Sequence, residues 1–216
     1  MHRVTDQELT TIVFDLGAVL IDWDPRYVYR DLFPGDEPAM EAFLADVTSA
    51  TWNHQMDAGK PWADAVAELV QVHPERRELI EAYWSRWAEM LHGEIPGTVA
   101  ILARLRGAGP RLFALTNWSA ETFPVARERF PFLGLFDAIV ISGQERISKP
   151  DPRLFRVLFD RCRLDPRDAV FVDDAPRNVE VAAEMGMHAL HFTGPGPLRT
   201  ALEALGLLGR TTAPAA

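Results

Sequence analysis

Six polar residues in this chain occupy equivalent places, each at the end of a short apolar run. The runs are TTIVFD (10–15), RLFALTN (111–117), DAIVIS (137–142) and AVFVDD (169–174); a fifth, HALHFT (188–193), has the same character. Short apolar, β-branched runs of this kind read as buried parallel strands. Their ends carry Asp15, Thr116, Asn117, Ser142, Asp173 and Asp174, and Lys149 follows the third run closely. In an open parallel sheet, ligands sit beyond the carboxyl ends of the strands. Three carboxylates gathered there repel one another by roughly 1–4 kcal/mol per close pair at intermediate dielectric. A divalent cation and a lysine relieve that repulsion, and hard oxygen donors with retained waters suit Mg2+. Lysine is scarce: of 22 basic residues only Lys60 and Lys149 are lysine, the rest being arginine. Codon bias explains the scarcity, and against it a retained lysine marks a place that needs a compact ammonium.

The elements that must position these groups follow from the pattern between the runs. Helical stretches are expected over 98–107, 119–130, 152–163, 176–185 and 197–207. Gly109-Pro110 ends the first, while Asp151-Pro152 opens the third as an N-cap followed by an N1 proline. Strand and helix alternate from residue 97 onward, which predicts an α/β fold, a doubly wound parallel sheet of Rossmann-like type. Residues 24–92 show no strand pattern and read as helices over 26–32, 37–48, 62–72 and 75–91. The expected organisation is an α/β core formed by 1–20 and 93–208, a helical cap formed by 21–92, and a flexible tail, 209–216. Glycines and a proline at both joints (Gly17, Gly93, Pro96, Gly97) suit hinges that let the insert close over a site.

Composition bounds the function. The chain has 216 residues, 48% hydrophobic and 25% charged, as soluble globular proteins do. A net charge of −9 repels a phosphate backbone and argues against nucleic acid as a partner. No apolar run approaches membrane-spanning length, and the charged N-terminus lacks the apolar stretch of a secretion signal. One cysteine, Cys162, excludes a disulfide framework and a cysteine-rich zinc site, so the cytoplasm is the expected compartment.

Four motifs in this order resemble the haloacid dehalogenase-like hydrolase superfamily. They are Phe14-Asp15-Leu16-Gly17-Ala18-Val19-Leu20, Leu115-Thr116-Asn117, Ser148-Lys149-Pro150-Asp151-Pro152 and Phe171-Val172-Asp173-Asp174. The resemblance spans about residues 12–208, and the insert resembles the cap of the superfamily's helical-cap subclass. Asp-Leu-Gly followed later by Asp-Asp is similar to the branch containing sugar phosphatases such as glucose-1-phosphate phosphatase. The resemblance implies that Asp15 is the nucleophile and forms an aspartyl-phosphate. It implies that Thr116 and the backbone amide of Asn117 bind phosphoryl oxygens, and that Lys149 neutralises charge on both partners. Asp174, with Asp173, Asp15 and the backbone carbonyl of Gly17, would hold Mg2+. Asn178 reads equally as support for the metal or as part of a helix face.

One position departs from the family. Many of its phosphatases carry a second aspartate two residues after the nucleophile, as the acid that protonates the leaving group. Here that residue is Gly17, and such groups contribute typically about 10²–10⁴-fold. Asp22, Asp24 and His54 are candidates to replace it; Asp24 before Pro25 also reads as a cap, and His54 as a surface residue. The superfamily's 2-haloacid dehalogenases lack this aspartate too, but their reaction needs no metal and no acidic fourth motif. Trp23, Trp52, Asn53, His54, Gln55, Lys60 and Trp62 of the insert, with Trp118, form an aromatic and polar set from which a sugar site could be built. Of these, Trp23, His54 and Trp118, together with Asn117, are the expected substrate contacts, while some of the tryptophans pack the bundle. Arg26 meets either an anionic ligand or solvent. The expectation is an Mg2+-dependent phosphatase of a small phosphorylated metabolite. The rivals are a metal-independent dehalogenase and a catalytically weak relative that binds a phosphorylated ligand.

Overall fold

The computed structural model describes residues 8–209. The chain begins with β1 (Thr11–Phe14) and turns into β2 (Ile21–Trp23). Helices α1 (Arg26–Leu32), α2 (Glu37–Asp46), α3 (Ala50–Asp57), α4 (Trp62–Val72) and α5 (Arg77–Ser85) follow, and β3 (Leu91–Glu94) returns the chain. Strand and helix then alternate through α6 (Pro96–Ala108), β4 (Arg111–Thr116), α7 (Phe123–Arg129), β5 (Ala138–Ile141), α8 (Ser142–Glu145) and α9 (Pro152–Cys162). The series closes with β6 (Ala169–Asp173), α10 (Pro176–Glu184), β7 (His188–His191) and α11 (Pro195–Ala204).

Five strands form one parallel sheet in the order β5-β4-β1-β6-β7. All four residues of β1 are buried, as expected of the central strand of a sheet covered on both faces. Alternation sends Ile12 and Phe14 into one apolar cluster with Leu112, Ala114, Val170 and Val172. Val13, Phe113, Leu115 and Phe171 enter a second cluster on the opposite face. Tyr29, Trp52, Trp62 and Tyr83 of the insert pack on one another, and their cluster runs on into the first apolar cluster of the sheet. Burying side chains of this size contributes roughly 1.5–3 kcal/mol each, so the same burial that holds the insert together also joins it to the core.

The insert differs from its expected form in three places. Strands β2 and β3 pair antiparallel (Ile21 with Glu94, Asp22 with Gly93), so a two-stranded ribbon spans both joints. Helix α3 falls in a stretch the sequence reading left unassigned; Ser49 caps it, its hydroxyl accepting from the Trp52 amide at 3.2 Å. The helix expected over 75–91 is broken, with 3-10 turns at Pro74–Arg76 and Trp87–Met90 flanking α5. In the core, α7 starts at Phe123 and not at 119, because the Ser119 hydroxyl accepts from the Glu121 amide and holds a turn there. Of the expected tail, residues 210–216 lie outside the described residues. Among the described residues, no helix is long and apolar enough to cross a membrane.

Candidate active site

Strand register assembles the site. Phe14 pairs with Val172 on one side and Ala114 on the other, so the next residues emerge together at one sheet edge. The Asp15 amide still donates to the Val172 carbonyl at 2.8 Å, which holds Asp15 beside Asp173. One ligand oxygen from each of Asp15, Asp173 and Asp174 falls within 4.8 Å of the others.

Lys149 is 1% exposed and lies between the carboxylates. Its ammonium is 3.0 Å from Asp15 Oδ1 and 2.7 Å from Asp173 Oδ2. Asn117 brackets the lysine backbone: its Oδ1 accepts from the Lys149 amide at 2.8 Å and its Nδ2 donates to the Lys149 carbonyl at 2.9 Å. Thus the Asn117 side chain is spent largely on positioning the lysine, while the expected phosphoryl contact falls to its backbone amide. Lys60 is a different case, an ion pair with Glu68 on the insert surface.

The two acids of the fourth motif have different surroundings. Asp173 is fully buried, and its oxygens accept from Lys149, from the Ala175 amide at 2.8 Å and from Asn178 Nδ2 at 2.9 and 3.1 Å. Asn178 therefore supports Asp173. Asp174 is exposed and open to an incoming cation. Asp15 Oδ1 takes both the Leu16 amide, at 2.7 Å, and the Lys149 ammonium, so its second oxygen is the one presented outward.

Electrostatics follow from this packing. Burial pushes the Asp15 carboxyl up to about 7, against the pull of Lys149 and with a further push from the Asp173 charge. Burial and Asp173 likewise raise Asp174. Burial disfavours the Lys149 ammonium, but Asp15 and Asp173 outweigh it and hold the lysine above its ordinary value. Three acids with one cation remain short of positive charge, and their hard oxygens fit Mg2+.

A cavity of about 80 Å3 opens beside this cluster, walled by Gly17, Trp23, Asn53, Asp57, Trp87, Asn117 and Trp118. The structure thus brings Trp23 and Trp118 to the site and adds Trp87, which packs edge-on against Trp118. The indole N–H groups of Trp23 and Trp118 are buried without a protein acceptor. Thr116 is buried at the end of β4. Ser142 takes a structural role: its hydroxyl donates to the Asp57 carbonyl at 2.6 Å and accepts from the Trp118 amide at 2.9 Å.

The other residues singled out from the sequence lie elsewhere. His54 is exposed, its Nε2 2.8 Å from Ser148 Oγ, outside the cavity wall. Trp52 and Trp62 pack against Tyr83 in the core. Gln55 accepts from Lys60 on the surface. Arg26 is held by Asp24 and Glu41. Asp151 caps α9, as the sequence predicts.

Gly17 itself is open. It does not adopt positive φ, which falls to Ala18 (φ 56°), and a Cβ built on it meets nothing within 4 Å. The first carbon of a side chain there meets no clash.

Asp57 is the residue that motif reading missed, since it belongs to none of the four motifs. Its signal is electrostatic: it is the last residue of α3, where an acid opposes the helix dipole. An unfavourable charge at a helix C-terminus beside a candidate site asks for a reason other than helix stability.

With this geometry described, the family assignment rests on comparison. The family model described as haloacid dehalogenase-like hydrolase matches residues 9–186. The chain belongs to this family. It is 34% identical over 90% of its length to mouse acyl-CoA dehydrogenase family member 10, of which it spans only 19%. It is 28% identical to the sesquiterpene phosphatase astK of Aspergillus oryzae, covering 91% of this chain and 95% of that one. Hexitol phosphatase A of Escherichia coli is 30% identical, over 85% and 82% of the two chains. A haloacid dehalogenase-like enzyme of Bacteroides thetaiotaomicron, crystallised with magnesium, shares the fold with a TM-score of 0.66 at 19% identity, over 86% of this chain and 94% of that one.

Proposed function

We propose that the chain is a cytoplasmic, Mg2+-dependent phosphatase that hydrolyses a small sugar or polyol phosphate through an aspartyl-phosphate on Asp15. The observation that carries this reading is the buried Lys149 ammonium bridging Asp15 and Asp173, with Asp174 open to a cation beside them. Phosphoryl transfer needs little beyond positioning and charge stabilisation. The outward oxygen of Asp15 attacks phosphorus, Lys149 neutralises charge on Asp15 and on the phosphoryl oxygens, and Thr116 with the Asn117 amide orients the latter. Asp15, Asp174 and the Gly17 carbonyl would hold Mg2+, with Asp173 fixing the lysine beside them. When bound, the metal supplies further charge stabilisation for the phosphoryl group. The insert acts as a cap over this end of the sheet, moving on the β2–β3 ribbon.

Both phosphatase relatives cover nearly the whole chain, and they differ in leaving group, a hexitol against a sesquiterpene alcohol. The cavity favours the polyol. It is small, and its wall carries the polar side chains of Asn53 and Asp57 beside the indoles, groups that meet hydroxyls better than an isoprenoid chain. A screen for phosphate release across sugar, polyol and isoprenyl phosphates, with and without Mg2+, tests the proposal. The expected result is Mg2+-dependent release strongest on the first two classes. Halide release from 2-haloacids in EDTA would favour the dehalogenase reading instead, and tight Mg2+-dependent ligand binding without turnover would favour a binding protein.

The metal assignment has its own test. Because burial raises Asp15 from 3.8 to about 7, ionising it costs folded-state stability, which falls as pH rises through that window. A cation on the ionised carboxylates offsets the loss. Mg2+ is therefore expected to raise the melting temperature more at about pH 8 than at about pH 5, and Asp174→Ala to remove most of that gain. An equal gain in the variant, read by thermal unfolding, would exclude Asp174 as a ligand.

A further inference from the structure

The position two residues beyond the nucleophile offers no proton donor, yet one carboxyl reaches the same space from the insert. Asp57 ends α3 and walls the cavity together with Gly17, Trp23 and Trp118. We propose that Asp57 is the general acid–base of this site, supplied by the insert in place of the residue missing at Gly17; this role rests on the phosphatase reading above.

In the first step the Asp15 oxygen forms a bond to phosphorus as the bond from phosphorus to the ester oxygen breaks. The departing oxygen takes the Asp57 proton and leaves as the alcohol. In the second step water attacks the phosphorus of the aspartyl-phosphate and gives its proton to the Asp57 carboxylate. The bond to Asp15 breaks, inorganic phosphate leaves, and both acids return to their starting forms.

Three observations support the assignment. The carboxyl is fixed in place: Asn53 Nδ2 donates to its Oδ2 at 3.2 Å, and the residue's own carbonyl is tied to Ser142 at the end of β5. The approach of the insert to the core is close: Gly59, two residues on, has no room for a Cβ against Gly143 and Arg146. The environment also favours a carboxyl that can carry a proton near neutrality. Burial pushes Asp57 up to about 7, the Asp15 charge adds to this, and the Ser119 amide and Lys149 pull the other way. The Asp57 charge is also felt by the buried Tyr83 hydroxyl, which it helps to keep protonated.

The candidates named from sequence are occupied elsewhere. Asp22 accepts from the Tyr27 hydroxyl at 2.8 Å, Asp24 accepts from the Arg26 backbone and side chain, and His54 pairs with Ser148. None of the three walls the cavity.

The test compares the wild-type chain with Asp57→Asn, in Mg2+, on p-nitrophenyl phosphate and on a hexitol phosphate. A basic alkoxide needs the proton, whereas p-nitrophenolate leaves without it. Turnover of the hexitol ester is expected to fall by about 10²–10⁴-fold. With the aryl ester, rapid mixing should show a burst of about one phenolate per enzyme followed by slow release, because the second step has lost its base. Adding Gly17→Asp to the variant should recover roughly tenfold on the hexitol ester, as the first carbon of the side chain meets no clash there. Asp57→Ser, which fits within the same volume, is read in the same way should the amide unsettle α3. Equal losses on both esters without a burst, or no loss, would overturn the role of Asp57 while leaving the phosphatase reading standing. Wild-type protein that releases phosphate from neither ester, nor from any in the screen, overturns that reading and this role with it.

Discussion

Asp15→Asn is expected to reduce phosphatase turnover below about 1% of wild type, because an amide oxygen cannot act as the covalent nucleophile. The fold should not suffer. The Leu16 amide keeps its acceptor, and Lys149 keeps Asp173. At neutral pH the variant should melt at or above the wild-type temperature, since it removes a carboxyl whose ionisation burial opposes. Two measurements decide it: steady-state phosphate release, and mass spectrometry of acid-quenched wild type for a phosphoryl adduct on the peptide carrying Asp15. A variant that retains more than a few per cent of the rate, free of contaminating phosphatase, would remove the aspartyl-phosphate from the mechanism.

Substitution of Lys149 is expected to damage both stability and turnover, and the two effects separate by choice of residue. Lys149→Met leaves a fully buried Asp173 and a nearly buried Asp15 without their shared cation. Removing one partner from a buried charge cluster costs about 3–5 kcal/mol, and for a chain of this length that is a fall of roughly 6–20 °C in Tm without Mg2+. Lys149→Arg keeps the charge but not the shape. The ammonium sits 2.7 and 3.0 Å from its two partners with no exposed surface, so a planar guanidinium must displace one of them. Turnover should fall about 10²–10³-fold, the range seen when one donor to a developing charge is lost. Near-normal kinetics for Lys149→Arg would reduce the lysine to a neutraliser of Asp173, with no role at the phosphoryl group.

The chain reads clearly where one local rule applies. Each strand of the parallel sheet is an apolar run because both of its faces are covered, and polar residues end these runs. Asp15, Thr116, Asn117, Asp173 and Asp174, with Lys149 a short way downstream, could therefore be placed together from pattern, while the roles expected of them came from the resemblance of the four motifs. The insert is less legible. Helix α3 has only eight residues with weak amphipathic contrast, and β2 and β3 are short strands whose pairing partner lies about seventy residues away in sequence.

By itself the sequence determined the α/β core, the order of its motifs and the residue types gathered at the strand ends, since these follow from local pattern and chain order. The tertiary structure decided which polar atoms are spent and which are available. Register put Asp15 beside Asp173, the loop before α9 brought Lys149 between them, Asn178 and Asn117 were committed to holding that arrangement, and Asp174 was left open. Packing of the insert on the first apolar cluster turned His54 to the surface and brought Asp57 to the cavity beside Gly17. Which face of a helix meets a distant strand end depends on the fit of Trp62, Tyr83 and Ser142 across the junction, a non-local balance of burial and hydrogen bonding that no spacing in the sequence encodes.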